Sequence, residues 1–272
     1  MKKVTKIFAL LLVLALALSL TACGGKKEES PVGAVEKIQA KGQLVVGTSA
    51  DDPPYEFHTE IDGKDTIVGF DIAIAQAVAD SMGVELKIVD MSFDNLLMSL
   101  ANGEFDMVIA GMTSNEERLK TTDFSEPYLM SKNLILVRTE DAGKYTTLED
   151  LQGAKGGAQT GSIPFDRCVT YCGAETSVGL AKVQDLIMEL QAGKLDVVFL
   201  DYMTVLTYAA VNDNLSAVDV NIPSESKGYS IAVQKGNTEL TEYINGVLEQ
   251  LAADNAVEGF VVEAQQLAGM EE

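Results

Sequence analysis

Apolar positions along the chain follow two patterns, short continuous runs and helical spacings, and the two alternate. Met107–Ala110 is an uninterrupted apolar run typical of a buried strand in a parallel sheet. Ile74, Val78 and Met82 instead recur at helical spacing, and Gly83 then marks the end of that helix. Strands that alternate with helices predict an α/β fold, with helices packed on the faces of a mainly parallel sheet.

The N-terminal third contains a strand, a loop and a hairpin before the first long helix. We predict a strand over 43–47 and, because Pro53-Pro54 excludes a helix, a loop over 48–55. Asp62-Gly63 predicts the turn of a hairpin. Asp71 is predicted to cap the following helix. Loops at the carboxyl ends of strands bind ligands in open α/β sheets.

A polar segment begins where the buried strand ends at Gly111. Ser114 and Glu117 have the spacing of a capping box, which predicts a short helix with free N–H groups at its start. Arg118 follows and could grip a carboxylate with two parallel hydrogen bonds. Alternatively, it is a surface residue paired with Glu116 or Glu117.

The second half of the chain repeats this arrangement. Gly161-Ser162 turns a strand end into a helix start, so Ser162 is either a helix cap or a binding residue. Asp196–Leu200 predicts a buried strand closed by Asp201. Asp201 could cap the helix over 202–211, but a carboxylate ending a buried strand faces the crevice where ligands bind, which favours a functional role.

Composition and the N-terminus narrow the class of protein. The 272 residues are 47% hydrophobic, which argues against disorder, and the formal net charge of −21 argues against nucleic acid as a partner. Lys2, Lys3 and Lys6 precede an apolar run over 7–20, which predicts a signal peptide over 1–22. Cys23 then stands where a lipobox would end, so we expect a lipid anchor at Cys23; export with a free Cys23 is the alternative.

Several motifs together are similar to one family. AGMTSNEER (110–118) and DFSEPY (123–128) carry the resemblance to the solute-binding proteins of ABC importers for polar amino acids, family 3 of the bacterial extracellular binding proteins. Further matching segments are LVVGTSADDPPYEF (44–57), VGFDIAIA (68–75), GAQTGS (157–162), DVVFLD (196–201) and YSIAVQKGNTEL (229–240).

This resemblance implies a two-lobed, type II periplasmic-binding-protein-like fold. After the signal peptide and a lipidated tether over 23–34, we expect a discontinuous first lobe over 35–128 and 229–272 and a second lobe over 133–223. Hinges are expected over 129–132 and 224–228. Pattern alone would fit two consecutive domains equally well.

The resemblance also implies roles for single residues. Arg118 would bind the α-carboxylate of a free amino acid, helped by Thr113 and Ser162. Asp201 would bind the α-ammonium group, together with Thr113 and the carbonyl oxygen of Gly111. Because the two lobes contribute different partners, ligand binding is expected to stabilise a closed cleft.

The side-chain pocket departs from the family pattern at two positions. Family members usually carry an aromatic residue near the position of Asp52 and often an Asp at the position of Ser49. The remaining candidates for the pocket wall are Phe93, Met112, Gln159 and Leu200. If Asp52 faces the cleft, arginine, lysine or ornithine is the expected ligand; if Asp51 and Asp52 both face solvent, glutamine or another polar amino acid fits as well.

The predicted function is a membrane-anchored receptor, with an ABC importer as partner, on the outer face of the cell membrane. We expect a monomer without enzymatic activity, cofactor or metal, since one His and the Cys168–Cys172 pair do not make a zinc ligand set. Whether that pair forms a disulfide is left open. An exported cyclohexadienyl dehydratase, acting on arogenate or prephenate, and a sensor module are the alternatives on the same fold.

Overall fold

The computed structural model describes residues 33–223 and 228–270. The predicted signal peptide, Cys23 and nearly all of the predicted tether lie outside the described residues, as do positions 224–227 of the second predicted hinge. No helix among the described residues is long and apolar enough to span a membrane.

Thirteen strands are present in the described ranges. They are β1 (Gln43–Thr48), β2 (Asp51–Asp52), β3 (Glu56–Ile61), β4 (Lys64–Val68), β5 (Glu85–Asp90), β6 (Met107–Val108), β7 (Thr122–Phe124), β8 (Asn133–Arg138), β9 (Gly156–Gln159), β10 (Ser177–Leu180), β11 (Val197–Asp201), β12 (Leu215–Val218) and β13 (Ala232–Gln234).

Eight α-helices accompany them in the same ranges. They are α1 (Ala34–Lys41), α2 (Phe70–Met82), α3 (Leu96–Ala101), α4 (Ile163–Cys172), α5 (Val183–Gln191), α6 (Tyr202–Val211), α7 (Thr238–Ala253) and α8 (Ala256–Leu267). Short 3₁₀ turns cover Phe93–Asn95, Arg118–Lys120, Thr139–Asp141 and Glu149–Leu151.

The strands form two five-stranded sheets and a small antiparallel one. The first sheet has the order β5-β1-β6-β13-β7, with β1 parallel to β5 and β6 and with β13 antiparallel to β6 and β7. The second has the order β10-β9-β11-β8-β12. We call the elements around the first sheet, including the β2-β3-β4 hairpin layer, the first lobe and those around the second sheet the second lobe. The exact lobe boundaries stay a prediction.

Each sheet buries the apolar faces of its helices. Ile74, Val78 and Met82 of α2 pack in the core of the first lobe, and the left-handed Gly83 ends the helix as predicted. Leu186 and Leu190 of α5 pack in the second lobe. The helical spacing therefore identified the buried faces correctly, because burial of one stripe is what stabilises a surface helix.

The predicted loop over 48–55 and the predicted hairpin are adjacent in the structure. The hairpin is confirmed, with Asp62 and Gly63 at φ angles of 53° and 75° in its turn. The loop is interrupted by β2, because Asp51 and Asp52 pair with Phe57 and Glu56 of β3. This pairing holds both aspartates beside the first sheet.

The predicted capping role of Asp71 is wrong. Gly69 occupies the N-cap of α2, and Asp71 lies in its first turn, fully buried. The carboxylate of Asp71 instead accepts hydrogen bonds from the backbone N–H of Gly111 at 2.7 Å and the hydroxyl of Tyr128 at 2.9 Å. Both distant donors bond Oδ2 of Asp71, whereas Oδ1 has no hydrogen-bond partner among the described residues.

The helix predicted to start at Ser114 is also absent. Residues 118–120 form only a 3₁₀ turn, and the side chain of Asn115, not Ser114, accepts the N–H of Arg118 at 2.8 Å. An Asn side chain that bonds the backbone three residues on stabilises a turn without a helix. The predicted helix N-terminus is therefore not available as an anion site here.

Cys168 and Cys172 are free, buried thiols on consecutive turns of α4. Their sulfur atoms lie against Gly156 of β9, where an added Cβ would approach them within 2.4 and 2.8 Å. The pair therefore serves as small apolar packing between α4 and the second sheet.

Candidate functional site

A cavity of about 380 Å³ is lined by residues of both lobes. Most of the predicted site residues line it, namely Asp52, Phe93, Gly111, Thr113, Arg118, Gln159, Ser162, Leu200 and Asp201. Two of them do not. Met112 is packed in the apolar core beside α3, and Ser49 is buried behind the wall, where its hydroxyl donates to Asp51 at 3.1 Å.

Arg118 is held across the cavity by backbone oxygens. Its Nη1 donates to the carbonyl oxygen of Thr113 at 2.6 Å, and its Nη2 donates to that of Gly161, in the other lobe, at 3.1 Å. The guanidinium carbon lies 5.4 Å from the ring centre of Phe93. Burial lowers the pKa of Arg118 to about 10, so it stays charged at neutral pH.

The alternative of a surface ion pair does not describe Arg118. Among the described residues, Glu117 pairs with Lys120, and neither Glu116 nor Glu117 forms a salt bridge with Arg118. A guanidinium has five N–H donors, of which carbonyl oxygens take two here. The remaining donors can bind an anion in the cavity.

Asp201 ends β11 and occupies the N-cap position of α6 without capping it. No hydrogen bond from the helix reaches its side chain; instead, Oδ1 accepts from the side-chain amide of Asn133 at 2.7 Å. Burial raises the pKa of Asp201 to about 7, against the opposing effects of the neighbouring Tyr229 hydroxyl, the hydrogen bond from Asn133 and the positive charge of Arg118. The carboxylate thus faces the cavity in need of a cationic partner.

Ser162 performs the structural role that the sequence left open. Its hydroxyl accepts the N–H of Phe165 at 3.1 Å, as a cap of α4, and donates to the carbonyl oxygen of Gln159 at 2.7 Å. Gly161 before it takes a φ of 79°, a left-handed conformation that costs glycine least. Ser162 nevertheless lines the cavity beside Arg118.

A group of acidic side chains reaches the same cavity from the first lobe. Asp52 lines it and accepts the hydroxyl of Thr204, from the other lobe, at 2.6 Å. Burial and the nearby Asp201 raise the pKa of Asp52 well above its usual value. The charged neighbours that raise the pKa of Asp52 are Asp201, Asp51 and Asp71, all of them acidic.

Glu56 is a further lining residue that sequence reasoning missed. It is only 1% exposed, and its Oε2 has no hydrogen-bond partner among the described residues. Burial and the neighbouring Asp71 raise its pKa well above the usual value. The available signal was an acidic residue between two aromatic ones, Tyr55 and Phe57, in a stretch that is otherwise buried.

The side-chain amide of Gln159 forms hydrogen bonds with both lobes. Its Nε2 donates to Asp51 at 3.1 Å and to the carbonyl oxygen of Ala181 at 3.2 Å. Both donors of its amide are thereby engaged, while the residue also lines the cavity. No group of three His, Cys, Asp or Glu side chains in the described ranges is arranged to hold a metal ion.

The amino-acid sequence is similar to those of a known family of proteins. The family model for bacterial extracellular solute-binding proteins, family 3, matches residues 44–261. The arginine-binding extracellular protein ArtP of Bacillus subtilis is 33% identical, over 93% of this chain and 95% of the relative. The L-cystine-binding protein TcyJ of Escherichia coli is 29% identical, over 89% and 90%.

Solved structures show the same fold. An amino-acid ABC transporter substrate-binding protein from Streptococcus pneumoniae, bound to L-arginine, superposes with a TM-score of 0.83 at 37% identity. The match covers 86% of this chain and 98% of that one. The predicted two-lobed, type II periplasmic-binding-protein-like fold is confirmed.

Proposed function

This chain belongs to the bacterial extracellular solute-binding proteins of family 3, and from that premise we propose that it captures a free cationic amino acid and delivers it to an ABC importer. Arginine, lysine and ornithine are the candidate ligands. The cavity that both lobes line would hold the ligand, and closure of the lobes around it would present it to the importer. We expect the purified protein to bind without turnover.

The excess of carboxyl groups in the cavity carries this proposal. One carboxylate, Asp201, suffices to bind the α-ammonium of any amino acid, and Arg118 suffices for its α-carboxylate. Asp52 and Glu56 then remain, both with pKa values raised by burial and by neighbouring carboxyl groups. A ligand with a second positive charge would stabilise their ionised forms.

We assign the contacts accordingly. Arg118 would hold the α-carboxylate with Thr113, and Ser162 would join them only if its hydroxyl gave up its bond to the Gln159 carbonyl oxygen. Asp201 and the Gly111 carbonyl oxygen would hold the α-ammonium. Phe93 and Leu200 would contact the aliphatic part of the ligand. Arginine-bound relatives support the choice of a cationic ligand; glutamine or another polar amino acid is the alternative if Asp52 and Glu56 stay protonated.

A thermal-shift series tests the ligand. Residues 24–272, stripped of ligand, would be melted with arginine, lysine, ornithine, citrulline and glutamine. A ligand at ~100 times its dissociation constant adds about 2.7 kcal/mol of stability. Shifts with the cationic amino acids but not with citrulline, the uncharged analogue of arginine, would support the proposal. Equal shifts with citrulline and arginine would contradict the cationic preference.

The enzyme alternative has one observation in its favour. Asp201, with a pKa raised to about 7, could act as a general acid in the cavity. Incubation of the protein with prephenate or arogenate separates the two functions. Steady release of product would show dehydratase activity and contradict the proposal of a binding protein without turnover.

We also propose that Cys23 carries a lipid anchor on the outer face of the cell membrane. The motif before Cys23 and the glycine- and lysine-containing stretch after it support this placement. A Cys23→Ser variant should leave the membrane fraction and appear in soluble form, whereas unchanged fractionation would contradict the anchor.

A further inference from the structure

Asp51 is buried at the contact between the lobes and is not one of the residues that line the cavity. It is 7% exposed, and its carboxylate accepts hydrogen bonds from three sources. They are the N–H of Val183 at 2.9 Å, the amide of Gln159 at 3.1 and 3.3 Å, and the hydroxyl of Ser49 at 3.1 Å. All three groups donate, so only an ionised Asp51 satisfies them together.

Two of these donors belong to the second lobe. Val183 is the first residue of α5, whose own N-cap residue, Lys182, provides no side-chain cap. Asp51 therefore caps this helix from the opposite lobe, where a negative charge is favoured by the helix dipole. The side chain of Gln184 adds a bond of 3.2 Å to the backbone oxygen of Asp51.

The contact with Asp51 also decides the orientation of the Gln159 amide. Nε2 points to the Asp51 carboxylate and the Ala181 carbonyl oxygen, which are both acceptors. The opposite orientation would bring Oε1 against these same acceptors. Oε1 is consequently the amide atom left for the cavity that Gln159 lines.

We propose that Asp51 is a positioning residue for ligand selection: it locks α5 against the first lobe and turns the Gln159 oxygen towards the cavity, as an acceptor for a cationic side chain. This inference deepens the proposed function and rests on it. Asp51 acts through Gln159 and touches no ligand itself. The Gln159 oxygen then favours a ligand with a hydrogen-bond donor at this position over a ligand with an acceptor there.

The Asp51→Asn variant tests the orientation directly. Asparagine has the same shape but offers one acceptor and one NH₂ group in place of two acceptors. Val183 and Gln159 then compete for a single oxygen, and the Gln159 amide can turn its NH₂ group towards the cavity. The ratio of arginine to citrulline affinity, measured by calorimetry, should fall about tenfold, since one bond to a charged group is lost.

Two further variants separate selection from general closure. Gln184→Ala removes a bond between the same two lobes without touching the Gln159 amide, so it should weaken arginine and citrulline binding by equal factors. The double variant Asp51→Asn/Gln159→Glu reverses the donor and acceptor at the contact. One oxygen of the carboxylate introduced at position 159 would accept from the amide introduced at position 51, and the other would be offered to the ligand, so the preference for arginine should return. The bond to the Ala181 carbonyl oxygen is lost in this variant.

The outcomes are distinct. An unchanged ratio in Asp51→Asn, with wild-type protein that binds arginine, overturns this inference and leaves the proposed function in place. Equal losses for both ligands in Asp51→Asn also overturn it, by reducing Asp51 to a structural contact. Wild-type protein that binds no amino acid overturns both. If Asp51→Asn does not fold, the double variant decides, and a lasting loss of arginine preference there contradicts the inference.

Discussion

Single carboxyl groups of the cavity and its surroundings are kept partly protonated by burial. Asp201 has a pKa of about 7 and Asp71 one of about 6, in both cases chiefly because burial disfavours the charged form. A cation in the cavity favours ionisation, so its binding is coupled to the loss of protons. We therefore expect these two carboxyl groups to make the protein sensitive to pH near neutrality.

Arginine affinity should rise with pH up to about 7 and level off above it. Below the pKa of Asp201, a proton competes with the α-ammonium group for the same carboxylate, so affinity should fall by up to tenfold for each pH unit. Calorimetry from pH 5 to 8 measures this slope, and buffers with different ionisation enthalpies reveal the released protons. An affinity that does not change between pH 5 and 7 would contradict the assignment of Asp201.

Replacing Arg118 with lysine should abolish most of the affinity. The planar guanidinium of arginine can bond Thr113, Gly161 and a ligand carboxylate at the same time, whereas the compact ammonium group of lysine cannot. Lysine keeps the positive charge but loses the paired hydrogen bonds, and a hydrogen bond to a charged group is worth about 1.5–3 kcal/mol, or roughly 10- to 150-fold in affinity. Lys120→Ala, which breaks only an exposed ion pair two residues away, is the control and should bind normally.

At the scale of elements, the junction between the hairpin layer and α2 depends on a glycine. Gly69 takes a φ of 130°, and an added Cβ would lie 2.0 Å from the backbone oxygen of Tyr55. Backbone atoms cannot move aside as a flexible side chain can. The close approach brings Glu56 beside Asp71, so this glycine also supports the acidic side of the cavity.

Gly69→Ala should destabilise the protein by about 3 kcal/mol or more, through both strain and steric overlap. Gly259→Ala is the matched control, because Gly259 lies inside α8 with no atom near an added Cβ. That change should stabilise by about 0.5–1 kcal/mol. Urea unfolding measures both. Equal effects of the two substitutions would mean that the contact with Tyr55 is not restrictive.

For the whole molecule, the stability of the ligand-free form should decrease as pH rises from about 4 to 7. Asp71 and Asp201 bind protons more tightly in the folded protein than in the unfolded chain, so unfolding releases protons in this window. Their contribution is fully present below pH 4 and is lost as pH rises through 6 and 7. For Asp71 alone the change is on the order of 3 kcal/mol.

Urea unfolding at a series of pH values measures how the free energy of unfolding depends on pH. The Asp71→Asn variant should show a weaker dependence near pH 6. Saturating arginine should reverse the trend, because the ionised carboxylates then have a partner. A ligand-free protein whose stability rises steadily from pH 4 to 7 would contradict the raised pKa values.

Closure is likewise a property of the whole molecule. The lobes meet through Asp51 with Val183, Asp52 with Thr204, and Arg118 with Gly161. These contacts are polar, which suits lobes that must open to release a ligand.

The sequence by itself determined the elements and their alternation. Buried strands, the faces of α2 and α5, the hairpin turn and the cap at Ser162 all follow from local periodicity and turn chemistry, which act over a few residues. Nine of the eleven residues that it proposed for the site line the cavity, and several of them follow strands whose carboxyl ends gather at one sheet edge.

Only the tertiary structure decided which polar groups meet. The sequence could not show that Asp71 bonds Gly111, that Asn115 replaces a helix start, that Glu56 reaches the cavity, or that Asp51 caps a helix 132 residues away. A carboxylate can be satisfied by any donor that the fold brings near it. The local sequence pattern determines the element on which a polar side chain lies, whereas its hydrogen-bond partner depends on how the lobes pack.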